Sequence, residues 1–123
     1  MPKVRLALAQ TNPTVGDIEG NIELVFEQVK EAAESGADVV LFGEMVVTGY
    51  PIEDLATKEH FVVMAEQAVV ALAKRLNDSG FGELAVVLGH PALARSESRN
   101  GWAIAHNMAS VLVGGSVVAS YAK

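Results

Sequence analysis

The chain has 123 residues, half of them apolar, and a formal net charge of −6. That length and apolar content suit one domain with a real core and exclude a disordered chain, and the acidic balance excludes the basic face of a nucleic-acid binder. No cysteine is present, so these residues hold no disulfide, no thiolate metal site and no thiol nucleophile.

The chain opens with Lys3, Arg5 and a short apolar run. The run is too short for a signal peptide, and no stretch approaches the roughly 18 apolar residues of a membrane span. The expectation is a soluble, cytoplasmic protein with no membrane partner.

Val4 to Gln10, bounded by Pro2 and by Thr11-Asn12-Pro13, reads as a first strand. It is apolar on both alternating sets, which predicts cover on both faces. The loop from Thr11 to Gly16 lacks the Gly-x-Gly-x-x-Gly of a dinucleotide site. Asp17 is a good N-cap for a helix to Ser35, with Asn21 a possible later start behind Gly20. Ile18, Ile22, Val25, Val29 and Ala33 form its apolar stripe, and Gly36 stands where a C-terminal cap is expected.

A second buried strand, Asp38 to Phe42, completes a parallel crossover unit. It stops on Gly43-Glu44, followed by a turn-rich segment containing Gly49 and Pro51 and by the acidic pair Glu53-Asp54. A second long helix is expected from about Lys58 to Asn77, with Phe61, Ala65, Ala68, Leu72 and Leu76 inward. Val62, Val69 and Ala73 widen that stripe. Leu84 to Gly89 reads as a third strand closed by His90-Pro91, and Arg95 to Gly101 as an exposed loop. Asn107–Val113 and Ser116–Tyr121 are β-type runs joined by Gly114-Gly115, the mark of a hairpin with a primed turn. The fold class is α/β with a mixed sheet. An apolar last strand with nothing after it to cover it suggests part of something longer.

Several side chains are candidates for chemistry. Glu44 ends a buried strand, where open α/β sheets place their sites, and lost hydration there would raise its pKa and suit it to accept a proton. The same pattern fits a solvated loop acid or a helix cap. Glu53 and Asp54 read as caps rather than catalysts. Tyr50 either lines a pocket or packs against its own loop, and Thr48 reads as a turn hydroxyl. His60, His90 and His106 lack metal-ligand spacing, so no metal site is expected, and no Gly-x-Ser-x-Gly elbow occurs. Lys123, on chemistry alone, is a solvated end.

Three stretches together resemble the nitrilase, or carbon–nitrogen hydrolase, family. The first is Val4–Gln10 with Val15-Gly16-Asp17-Ile18-Glu19-Gly20-Asn21. The second is Leu41-Phe42-Gly43-Glu44-Met45 with Thr48-Gly49-Tyr50. The third is His106–Leu112 with Gly115–Val118 and Tyr121-Ala122-Lys123. Within the family, Thr48 to Leu55 resembles the form in the glutaminase domains of glutamine-dependent NAD synthetases. Order and spacing match along essentially the whole chain.

The resemblance implies a Glu–Lys–Cys triad on an αββα sandwich about twice this length, of which residues 1–123 would be the first half. Glu44 matches the family's general base and Lys123 its oxyanion-stabilising lysine, with Tyr50 a wall of the glutamine pocket. Two departures stand out. Gly43 replaces a usual proline, which weakens the rigidity of the turn, and the cysteine is missing. The implied function is hydrolysis of glutamine to supply ammonia for ATP-dependent amidation of deamido-NAD, the isolated chain being inactive. ATP and magnesium belong to a synthetase domain outside this chain, which itself takes no cofactor. A homo-oligomer is expected by analogy. Two alternatives remain: another carbon–nitrogen hydrolase, such as an amidase or carbamoylase, and a non-catalytic α/β module with Glu44 structural.

Overall fold

A computed structural model describes residues 2–51, 58–93 and 105–123. Its elements follow in the order β1 (Leu6–Leu8), α1 (Ile18–Glu34), β2 (Val39–Leu41), α2 (Glu59–Asp78), β3 (Ala85–Leu93), β4 (Ala105–Val113) and β5 (Ser116–Ala122). The five strands form one sheet in chain order. β1, β2 and β3 are parallel, and β4 and β5 add on antiparallel. This is the mixed α/β architecture expected, with crossover units first and a hairpin last.

Both helices pack on one face of the sheet. Val25, Val29 and Ala32 of α1 join Ala65, Val69, Leu72, Ala73 and Leu76 of α2 over Val40, Val86, Leu88 and Leu112. α1 begins at Ile18 because the Asp17 side chain accepts the Gly20 N–H at 3.0 Å, which rules out the later start at Asn21. The α2 stripe is turned slightly from expectation. Val62 and Val69 are buried, while Phe61 and Ala68 only edge the core. Glu53-Asp54 and the Arg95–Gly101 loop lie outside the described residues.

Two strand expectations need correction. β1 is covered on one face only: Ala7 packs on the core, but Leu6 and Leu8 are 56% and 71% exposed. The helices shield one side of the sheet, and no described element lies over the other. β3 does not stop at Gly89 but runs through His90-Pro91 to Leu93. β2 pairs with it only as far as Val87, so beyond that point β3 has β4 alone as partner. On such a local edge a proline's missing N–H is tolerated. His90 is buried, with Nδ1 3.0 Å from the Pro91 carbonyl oxygen and Nε2 2.8 Å from Ser110 Oγ. Burial pushes its pKa down, the favoured state being a neutral ring with Nδ1–H donating to the carbonyl.

The hairpin turn has both glycines at positive φ, 65° at Gly114 and 88° at Gly115, as a primed turn requires. The ladder between β4 and β5 then slips by one. Leu112 faces Val117 but Val111 faces Ala119, so Val118 is an extra residue, a β-bulge.

Candidate active site

Phe42 follows β2, its N–H donating to the Val87 carbonyl at 2.9 Å, and the chain then turns at Gly43-Glu44-Met45. Met45 has φ 56°, a left-handed backbone that is uncommon without glycine, and it is buried. The turn is held by the Thr48 and Gly49 N–H groups, which donate to the Met45 carbonyl at 3.1 and 2.8 Å. Thr48 is buried and its hydroxyl donates to the Gly49 carbonyl at 3.1 Å, the turn role expected for it. Behind the turn stands Asn21, a polar residue in the buried stripe of α1. Its amide accepts the Thr14 N–H and donates to the Thr14 carbonyl, both at 2.8 Å, and to the Val47 carbonyl at 3.1 Å. One side chain thereby ties the loop after β1 to the loop after β2.

The turn lies directly on β3. A Cβ at Gly89 would stand 2.6 Å from Met45 N and 3.0 Å from Glu44 Cα, so only glycine lets the Glu44 backbone come this close. At Gly43, by contrast, a Cβ would meet nothing within 4 Å. The space for a side chain is there, whatever rigidity is lost.

Glu44 and Lys123, 79 residues apart in the chain, meet with Lys123 Nζ 3.3 Å from Glu44 Oε1. The side chains are 44% and 76% exposed, respectively. Asn107 of β4 also donates from Nδ2 to Glu44 Oε1. These three residues border a cavity of about 260 Å³, with Val87, Gly89, Ala109 and Tyr121 among its other walls. That size falls just under the roughly 300 Å³ at which small-molecule pockets begin. By strand alternation the cavity opens on the face of the sheet away from the helices.

The electrostatics differ from the sequence-based expectation. Glu44 does not rise in pKa. The Asn107 amide first, then the Lys123 ammonium, hold it below its ordinary value of 4.5, against a small opposing effect of lost hydration. The carboxylate remains wet enough that its donors outweigh desolvation. Tyr50 is not brought to this cavity; it is 65% exposed and stands outside the lining, where Tyr121 stands instead. Among the described residues no group of three His, Asp or Glu side chains is placed to hold a metal ion.

The family profile for carbon-nitrogen hydrolases matches residues 5–119. The chain belongs to the carbon–nitrogen hydrolase family. The glutamine-dependent NAD(+) synthetase of Thermotoga maritima is 31% identical over 123 residues, all of this chain and 19% of that protein. That of Xylella fastidiosa is 36% identical over 121 residues, 98% of this chain and 20% of that one. This carbon–nitrogen hydrolase chain thus spans about a fifth of the length of the curated relatives it matches. Among solved structures, a glutamine-dependent NAD+ synthetase from Acinetobacter baumannii aligns with TM-score 0.82 and 27% identity, over all of this chain and 21% of that one. An amidase from Nesterenkonia sp. shares the fold, with TM-score 0.74, 23% identity and coverage of 98% of this chain and 42% of that one.

Asn107, Asn21 and Gly89 were not singled out as site residues from sequence. Asn21 and Asn107 did lie inside the stretches that carry the family resemblance, and that position was the one available signal.

Proposed function

We propose that these residues form the base-and-cation corner of a glutamine-hydrolysing site, within a glutamine-dependent NAD synthetase. The observation that carries the reading is the Glu44–Lys123 contact at the mouth of one cavity, made by two residues 79 positions apart in the chain. Glu44 serves as general base for a thiol, and Lys123 stabilises the negative oxygen that develops when the thiol attacks the glutamine amide. These 123 residues contain no cysteine, so the nucleophile comes from residues other than these. The layer that carries it would cover Glu44, and the added desolvation would move the carboxylate's pKa back up toward that of a thiol.

Ammonia released at this site would serve the ATP-dependent amidation of deamido-NAD. ATP and magnesium belong, on this reading, to a synthetase portion outside these residues, and no step at Glu44 runs through them. The reading includes a self-associating, cytoplasmic protein. No helix among the described residues is long and apolar enough to cross a membrane.

The test is Glu44→Gln in the complete enzyme. It is expected to abolish glutamine-dependent NAD synthesis and to leave ammonia-dependent synthesis in place. Equal loss of both would argue against the assigned role. The 123-residue chain alone is expected to release no ammonia from glutamine, and measurable turnover by it would overturn the need for an external thiol. A second reading, as part of an amidase, is one that the family match fits as well. Hydrolysis of simple aliphatic amides in preference to glutamine would select it.

A further inference from the structure

Glu44 has two partners, and only one of them is charged. Lys123 approaches Oε1 on a long, exposed stem, and an ammonium is a point charge that sets little orientation. Asn107 reaches the same oxygen from β4, a strand paired on both sides, and an amide N–H donor is directional. The main chain of Asn107 has a second task. Its carbonyl accepts the Lys123 N–H at 2.9 Å, which fixes the strand end that carries the lysine. Both side-chain contacts fall on Oε1, so Oε2 is the oxygen neither of them holds.

We propose that Asn107 is the positioning residue of this site: its side-chain amide orients Glu44 and its carbonyl seats Lys123, so that base and cation face one cavity with Oε2 left to take the proton. The proposal rests on the reading of Glu44 as a base. An uncharged donor suits the task, because it favours the ionised carboxylate without titrating itself. Loss of the amide leaves Glu44 with Lys123 alone, and its pKa moves up.

The experiment uses Asn107→Ala and Asn107→Asp with two readouts. In the 123-residue chain, the Glu44 side-chain carboxyl is followed by carbon-13 NMR through an acid titration, and its midpoint is expected at higher pH in both variants. In the complete glutaminase, kcat/KM for glutamine is expected to fall on the order of tenfold to a hundredfold, mainly through kcat, with the acid limb of its pH profile moved to higher pH. Asn107→Asp keeps the side-chain volume, so it carries the test should the alanine variant not fold. An unmoved NMR midpoint, or a uniform loss of rate with the acid limb unmoved, overturns the proposal, since a merely structural role predicts that pattern. Persistent glutamine hydrolysis in Glu44→Gln would instead overturn the base assignment, and the NMR result would stand apart from it.

Discussion

The two faces of the sheet are built on different physics. The face under the helices is closed by burial, with Val25, Val29, Val40, Val69, Leu72 and Val86 almost wholly out of water. The other face carries Leu6, Leu8 and Tyr121 in the open, and its order at the site rests on a few hydrogen bonds and one glycine contact. Burial scales with area and is insensitive to direction, whereas a carboxylate must be aimed. Stability and the geometry of the candidate site therefore reside on opposite sides of the same strands, and substitutions should separate them.

The largest effect is expected at the closed face. Leu72→Ala should destabilise by about 2–5 kcal/mol, through lost burial plus the cavity left behind, read as a shift in the urea midpoint. Leu8→Ala on the open face should stay within about 0.5 kcal/mol in this chain. Similar losses for the two would erase the distinction between faces. Gly89→Ala comes next, at roughly 1–3 kcal/mol, because the added methyl meets backbone that has no easy way to yield. It should also displace Glu44 from Lys123, visible as a loss of the low carboxyl pKa. Asn21→Ala should cost about 1–3 kcal/mol by stranding the Thr14 and Val47 groups it serves. Gly43→Ala should be nearly silent, within about 0.5 kcal/mol, since open space surrounds the position.

The smallest expected effect is that of pH on the open face. Because the folded-state pKa of Glu44 is depressed, its contribution to stability is present above the unfolded value near 4.5 and fades as pH falls through the folded pKa. Added salt should shrink that contribution, as both groups are wet. A thermal-melt series from pH 6 to pH 3 on wild type and Glu44→Gln reads it. Parallel curves for the two proteins would show that the pair contributes nothing.

Much of the scaffold was legible because its signals are local. The Asp17 cap, the helix stripes and the Gly114-Gly115 turn each lie within a few residues of what they determine. Glu44 was visible as an acid at a strand end, but its low pKa was not, because the cause is Asn107, 63 residues away. Lys123 had no chemical signature of its own and entered only through family resemblance. Asn21 hid for a different reason: an asparagine at an inward helix position looks like a defect until its partners on two other segments are known. The one-sided cover of β1 was missed because an apolar run records that both faces are apolar, not whether these residues cover them.

The extra residue in β5 has a consequence for Lys123 that can be reached by counting. From the turn, Val113 faces Ser116 and Leu112 faces Val117; continued without interruption, that series would set position 123 against His106. The surplus Val118 advances the series by one, and Lys123 lies against Asn107 instead. Successive residues of a strand point to opposite sides, so this single step reverses which side the lysine takes. The bulge therefore acts as a parity bit: a ladder that took Val118 up as a paired residue would turn the ammonium toward the helices and leave Glu44 without its cation, whereas deleting Val118 removes the bulge and its extra count together and keeps Lys123 against Asn107.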